Sequence, residues 1–140
     1  MPERSPGAPP AAVQIVLGFD YGTRRIGVAL GNGITRSARA LAVVDAAAAT
    51  RWERLSALIQ EWQPQALVVG VARHPDGAAH EMTGRCERFA RQLEGRYRLP
   101  VARVDERYSS AILERGADSD DAAAAVILQQ WFDETATSPC

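Results

Sequence analysis

Acidic residues from three distant parts of the chain carry its strongest chemical signal: Asp20, Glu106 and the adjacent pair Asp120 and Asp121. Asp20 closes the apolar run of "VLGFDYGTRRIGVALG", which then enters a glycine-rich turn with two arginines. Glu106 lies in "VDERYSS" directly after a second β-branched stretch, and Asp120 and Asp121 head the helical run "DDAAAAVILQQWFD". Singly, each acid has a bland reading. Asp20 is an Asx-turn residue, Glu106 pairs with Arg107, and Asp120 or Asp121 sits at a helix N-terminus because the macrodipole favours a negative charge there. Together they say more. Carboxylates gathered at one point raise one another's pKa unless a positive charge compensates them, and Mg²⁺ and Mn²⁺ favour oxygen donors of this kind. Two such ions about 3.5–4 Å apart activate a water and stabilise the leaving oxygen of a phosphodiester displacement. Arginines around the rim would hold a nucleic-acid backbone through bidentate phosphate contacts.

Other chemistries are excluded or weak. All 16 basic residues are arginine, so there is no Walker A lysine, no Schiff-base lysine and no Ser-Lys dyad, and any phosphate ligand of this kind is an arginine fork. Cys86 and Cys140 fit no metal or redox spacing. His74 and His80 lie in a loop without spacing partners and read as solvated. Arg85, Arg88 and Arg91 read as a solvated helix face. Charge is nonetheless uneven: from Arg85 to Arg107 seven arginines face four acids, while from Glu114 to Glu134 six acids face one arginine. A net charge of −1 thus hides a basic stretch and an acidic one.

The elements that position the acids follow from pattern. Val13 to Phe19, Ile26 to Leu30 and Arg39 to Val44 predict three strands joined by short turns, an antiparallel meander, with Gly22 supplying a positive φ in "YGTRR" if the turn requires one. "TRWE" from Thr50 to Glu53 predicts a capping box, opening a helix with Trp52, Leu55, Ile59 and Trp62 on one face and ended by Pro64. Ala66 to Val71 predicts a buried strand, "ARHPDGAAHE" a loop, and Met82, Cys86, Phe89 and Leu93 a second helix closed at Gly95. A strand from Val101 to Val104, a short helix from Ser110 to Arg115 and a terminal helix from Ala122 to Phe132 complete the order βββαβαβαα. Helical crossovers require parallel pairing among the first, fourth and fifth strands. The fold class expected is α/β, a five-stranded mixed sheet with helices on both faces. In such a sheet the carboxyl ends of the parallel strands form the functional crevice. Asp20 and Glu106 would share that edge with one strand between them, and a helix packed on the sheet would bring its N-terminal aspartate there.

"GFDYGTRRIGVALG", "ALVVGV", "DGAAHEMTGRCERFARQL", "VDERYSS" and "DDAAAAVILQQWFD" together resemble the YqgF/RuvX family over about residues 16–134. These RNase H-like proteins are described as Holliday junction resolvases and as nucleases that mature the ends of pre-16S ribosomal RNA. The resemblance implies an RNase H-like fold. It implies that Asp20, Glu106 and Asp120 are the catalytic acids and ligands of Mg²⁺ or Mn²⁺, two ions in all, with Asp121 as a substitute for Asp120. It implies that Thr23, Arg24, Arg25 and Arg107 position backbone phosphates. The chain departs from the family in three places: Gly70-Val71-Ala72 stands where relatives read Gly-x-Pro, the span from Ser110 to Asp120 is short, and it lacks the lysine common before the last aspartate.

Composition agrees with one globular domain: 46% hydrophobic and 24% charged residues over 140 positions. Residues 1–12 read as a loose Pro/Ala-rich tail, 13–134 as the nuclease domain and 135–140 as a loose C-terminal tail. No apolar run reaches the ~20 residues of a membrane span, and no secretory h-region is present, so the expected compartment is the cytoplasm. The expected activity is metal-dependent phosphodiester hydrolysis in 5′-end maturation of pre-16S rRNA, by a monomer or weak dimer acting on nucleic acid and in contact with the ribosome. The alternatives are a Holliday junction resolvase on DNA and a non-catalytic RNA- or ribosome-binding module. An ATP-binding reading, from the Asp-x-Gly-Thr hairpin of sugar kinases and actin, is disfavoured because such folds use two domains.

Overall fold

A computed structural model describes residues 14–73, 76, 81–106 and 120–136, apart from the side chains of Glu106, Asp120, Thr135 and Ala136. The expectations for residues 1–12, His74, His80, the turn around Pro75, Arg107, the short helix from Ser110 to Arg115 and Cys140 lie outside the described residues; of the expected loose tail 135–140, residues 135 and 136 belong instead to the terminal helix, and the rest lie outside.

Strands β1 (Ile15–Tyr21), β2 (Arg25–Asn32) and β3 (Ser37–Asp45) form the antiparallel meander. Helix α1 (Arg51–Trp62) crosses to β4 (Ala66–Ala72), and helix α2 (Thr83–Tyr97) crosses to β5 (Val101–Glu106). Helix α3 (Asp120–Ala136) ends the described chain. The sheet order is β3-β2-β1-β4-β5, with β4 parallel to both β1 and β5. The topology expected from the sequence is therefore the one observed, a mixed α/β sheet with helices on both faces.

The central strands are apolar on both sides because both sides are covered. Leu17, Phe19, Ile26, Val28, Leu67 and Val69 pack against Leu55 of α1 and Phe89 and Leu93 of α2. Val16, Ala29, Val68 and Val104 pack against Ala124, Ile127, Leu128 and Phe132 of α3. Helix α3 sits so close that the sheet must lack a side chain at Gly18 and Gly70. A Cβ on Gly18 would stand 2.9 Å from Leu128 Cβ, and one on Gly70 would stand 2.5 Å from Ile127 Cδ1. Edge strand β3 carries a bulge, since Val28 pairs Ala42 and Ala29 pairs Ala40, leaving Leu41 between them.

Several boundaries differ from expectation. Every strand runs past the C-terminal end of its expected apolar run, because ladder hydrogen bonds continue beyond it. Asp20 and Tyr21 lie inside β1, paired with Gly27 and Ile26. Asp105 and Glu106 lie inside β5, opposite Val71 and Ala72. The Thr50 capping box does not form: at φ −87° and ψ 7° the residue already turns with the helix, and its side chain makes no cap hydrogen bond. Helix α2 does not stop at Gly95. It runs on to Tyr97, whose hydroxyl lies 2.7 Å from Ser56 Oγ of α1, and it closes at left-handed Arg98 (φ 55°), whose N–H donates to Glu94 O. The terminal helix starts two residues before Ala122 and extends four beyond Phe132.

Candidate active site

Parallel pairing of β1, β4 and β5 puts the carboxyl ends of all three strands on one edge of the sheet. Asp20 is the penultimate residue of β1 and Glu106 the last residue of β5, with β4 alone between those strands. Asp20 therefore does not terminate a strand as an Asx-turn residue, and Glu106 does not follow one. Both belong to the ladder and take their positions from it. By strand alternation, Asp20 shares the face of Val16 and Gly18, which α3 covers, and Tyr21 takes the opposite face with Leu17 and Phe19. Asp20 is half-buried.

Neighbouring groups define the electrostatics of this edge. Asp105, the residue before Glu106, pairs with Arg73 at 3.1 Å. Cys86 of α2 is a buried free cysteine. Burial is the main cause pushing its thiol up; a hydrogen bond with the Ala72 backbone works the other way, and the charges of Asp20 and Glu87 add to the rise. The buried hydroxyl of Thr83 donates to Ala72 O and pins the start of α2 to the end of β4. Further back, Arg103 clasps α2 to β5 through Glu94 at 2.8 Å and Glu87 at 3.0 Å. The Arg103 hydrogen bond is the first cause holding the Glu94 carboxyl below the usual carboxylate range.

Thr23, Arg24 and Arg25 are exposed where β1 turns into β2, on the same edge as Asp20. The turn is closed by the Gly22 N–H donating to Arg25 O at 2.9 Å. Gly22 is required by close approach and not by a positive φ, since a Cβ there would stand 2.8 Å from the Arg25 carbonyl oxygen. Asp120 opens α3, and Asp121 accepts a hydrogen bond from the Ala122 N–H at 2.9 Å, which ties its carboxylate to the first turn of the helix. The structure thus gathers Asp20, Thr23, Arg24, Arg25 and the backbone of Glu106 at one edge. The side chains of Glu106 and Asp120 and all of Arg107 lie outside the described residues. Among the described residues no three His, Cys, Asp or Glu side chains stand close enough to hold a metal. What sequence pattern missed lies one residue on: Tyr21 faces a cleft lined by Arg51, Arg85 and Arg88.

A five-stranded mixed sheet of this order, with acids at the carboxyl ends of its first and fifth strands, defines an RNase H-like domain. Its architecture is similar to that of a solved structure, T. thermophilus RuvC in complex with Holliday junction substrate, at a TM-score of 0.54 and 18% identity over 89% of this chain and 96% of that one. The chain belongs to the RuvX Holliday junction resolvase family, whose model matches residues 14–134. Among its relatives, a protein of Burkholderia vietnamiensis (strain G4 / LMG 22486) is 53% identical over 84% of this chain and 88% of its own length. One of Polynucleobacter necessarius subsp. necessarius (strain STIR1) is 50% identical over 87% and 86%. Each carries the name "Putative pre-16S rRNA nuclease". Family and relatives bear out the expected class of activity, a nuclease hydrolysing phosphodiester bonds.

Proposed function

We propose that this chain is a metal-dependent nuclease that matures the 5′ end of pre-16S rRNA, with Asp20, Glu106 and Asp120 as its catalytic acids. The observation that carries the reading is the register. Asp20 and Glu106 stand at the carboxyl ends of two strands that run the same way with a single strand between them, on the edge where open α/β sheets place their chemistry. The donor set fits hard cations: carboxylate oxygens, with no histidine or thiolate among the three acids. Two Mg²⁺ or Mn²⁺ ions held there would supply water activation and charge stabilisation at the leaving oxygen. Thr23, Arg24 and Arg25 in the adjoining turn, and Arg107 directly after Glu106, hold and orient the phosphates flanking the scissile bond. Asp121, whose carboxylate accepts from the Ala122 N–H in the first turn of α3, is the secondary candidate for the helix acid.

The names of the relatives support precursor rRNA as substrate. In this reading the protein works in the cytoplasm on the assembling ribosome, as a monomer or weak dimer; no described helix is long and apolar enough to cross a membrane. The test is a parallel assay of end-labelled pre-16S rRNA and a synthetic four-way DNA junction, with Mn²⁺, with Mg²⁺ and with EDTA. The expected result is RNA cleavage in either metal, none in chelator and none from Asp20→Asn. Cleavage that persists in EDTA overturns the metal assignment. Resolution of the junction with intact RNA makes the protein a DNA resolvase, and binding of RNA without cleavage makes it a non-catalytic module.

A further inference from the structure

Because successive side chains of a strand alternate, Tyr21 points to the face of the sheet opposite Asp20. There it borders a cleft of about 420 Å³ between α1 and α2. Arg51 lines the cleft from the first turn of α1. Arg85, Arg88 and Gln92 line it from α2, at spacings of three and four that put them on one side of that helix. No acid lines it. Among the described residues, the guanidinium groups of Arg51, Arg85 and Arg88 make no ion pair and no hydrogen bond, whereas Arg103 and Arg73 are bound to acids. Three forked cations facing one cavity repel each other until an anion enters. The floor is an aromatic column fixed by packing. Tyr21 stacks on Phe89 with centroids 4.8 Å apart, Phe89 meets Trp52 at 5.8 Å, and Arg96 covers Trp52 at 4.1 Å. Phosphate-gripping arginines beside a fixed ring are the means by which single-stranded nucleic acid is held without sequence preference.

We propose that this cleft holds the single-stranded flank of the substrate after it has crossed the sheet edge at Asp20, with Arg51, Arg85 and Arg88 on successive phosphates and Tyr21 against a base. The proposal rests on the nuclease reading for where the scissile bond lies, and on the cleft alone for binding. Asp20 and Tyr21 are consecutive in β1 on opposite faces of the sheet, so a strand bent over the edge serves both sites.

The test measures binding of a fluorescently labelled 12-nucleotide single-stranded RNA to the full chain in EDTA, by anisotropy at several salt concentrations. Replacing Arg51, Arg85 and Arg88 together with alanine should weaken binding about 100-fold and reduce the log–log salt slope by about 2, at ~0.7 for each phosphate no longer gripped. Tyr21→Leu should weaken binding at least about 5-fold with the slope unchanged, because stacking releases no counterions. Arg54→Ala with Arg91→Ala, on exposed faces of the same helices, should stay within about 3-fold of wild type. An unchanged affinity and slope in the triple variant overturns the cleft. So does an equal loss for a blunt duplex, which has no single strand to thread. The nuclease reading is tested separately, by hydrolysis of bis(p-nitrophenyl) phosphate, a substrate too small to reach the cleft, by the wild-type protein in Mn²⁺. Absence of hydrolysis overturns the nuclease reading by itself, with the binding data still deciding the cleft.

Discussion

The contact between Gly70 and Ile127 gives a sharp test of how α3 is seated. A Cβ added at Gly70 would lie 2.5 Å from Ile127 Cδ1 and 3.1 Å from Cγ1, and Ile127 is fully buried. Ordinary carbon contacts lie near 3.5–4.0 Å, so Gly70→Ala forces about 1 Å of displacement on a packed side chain. Overpacking of this size costs about 1–3 kcal/mol, and the loss of unfolded-state freedom returns about 0.4–1 kcal/mol, leaving a net loss of about 1–2 kcal/mol. At ~2.1 cal/mol/K per residue, a 140-residue chain has an unfolding entropy of about 0.3 kcal/mol/K, so the melting temperature falls by about 3–7 °C. Ile127→Val removes the offending Cδ1 and costs about 0.5–1.5 kcal/mol alone. The double variant should therefore be about 1 kcal/mol more stable than the sum of the singles predicts. Gly18→Ala is the control. Its clash is with Leu128 Cβ at 2.9 Å, an atom fixed to the helix backbone, so Leu128→Ala gives no such relief. Thermal melts and urea titrations of the wild type and the six variants measure all of this. Additive effects at Gly70 and Ile127, or a Gly70→Ala protein as stable as wild type, refute the close seating.

Two further predictions concern the elements around the site. Thr50→Ala should cost under about 0.5 kcal/mol in urea unfolding instead of the ~1 kcal/mol usual for a working cap, because the Thr50 side chain makes no cap bond; a loss of 1 kcal/mol or more contradicts this. Glu94 has its carboxyl lowered by Arg103, so the stability it contributes is complete above its ordinary value of 4.5 and disappears as pH falls through the lower folded value. Urea midpoints of wild type and Glu94→Gln should accordingly differ at pH 7 and converge toward pH 3. A gap that widens on acidification has the wrong sign for this clasp.

The strand order was readable because each buried strand is a compact apolar run and each gap between runs is either a turn or a helix. Two strands joined through a helix must pair in parallel or lie apart, and that alone brings Asp20 and Glu106 to one edge. Strand ends were less legible, since apolarity marks burial while hydrogen bonding marks the ladder, and at Asp20, Tyr21, Asp105 and Glu106 the ladder outruns the core. The Thr50 pattern matched a capping box in residue type, but one backbone angle keeps the hydroxyl from its target. Gly95 looked like a stop, yet Tyr97 packs against α1 and draws the helix past it. Arg85 and Arg88 read as a solvated face for a plainer reason. A helix read in isolation does not reveal which neighbour it looks at, and their meaning comes from Arg51 and Trp52, more than thirty positions earlier in the chain. The roles of the three acids come from family resemblance joined to position, and the chemistry assays decide them.

Glu106 rides on the outermost strand, bonded to a neighbour on one flank only, while Asp20 belongs to the middle of the sheet. Warming should peel the sheet from that rim before its centre gives way. Catalysis would then fail several degrees below the cooperative melt, and the Arg103 grip on α2 would set the width of that gap. A heat-inactivated sample cooled promptly should regain its activity, since only one strand would have left its place.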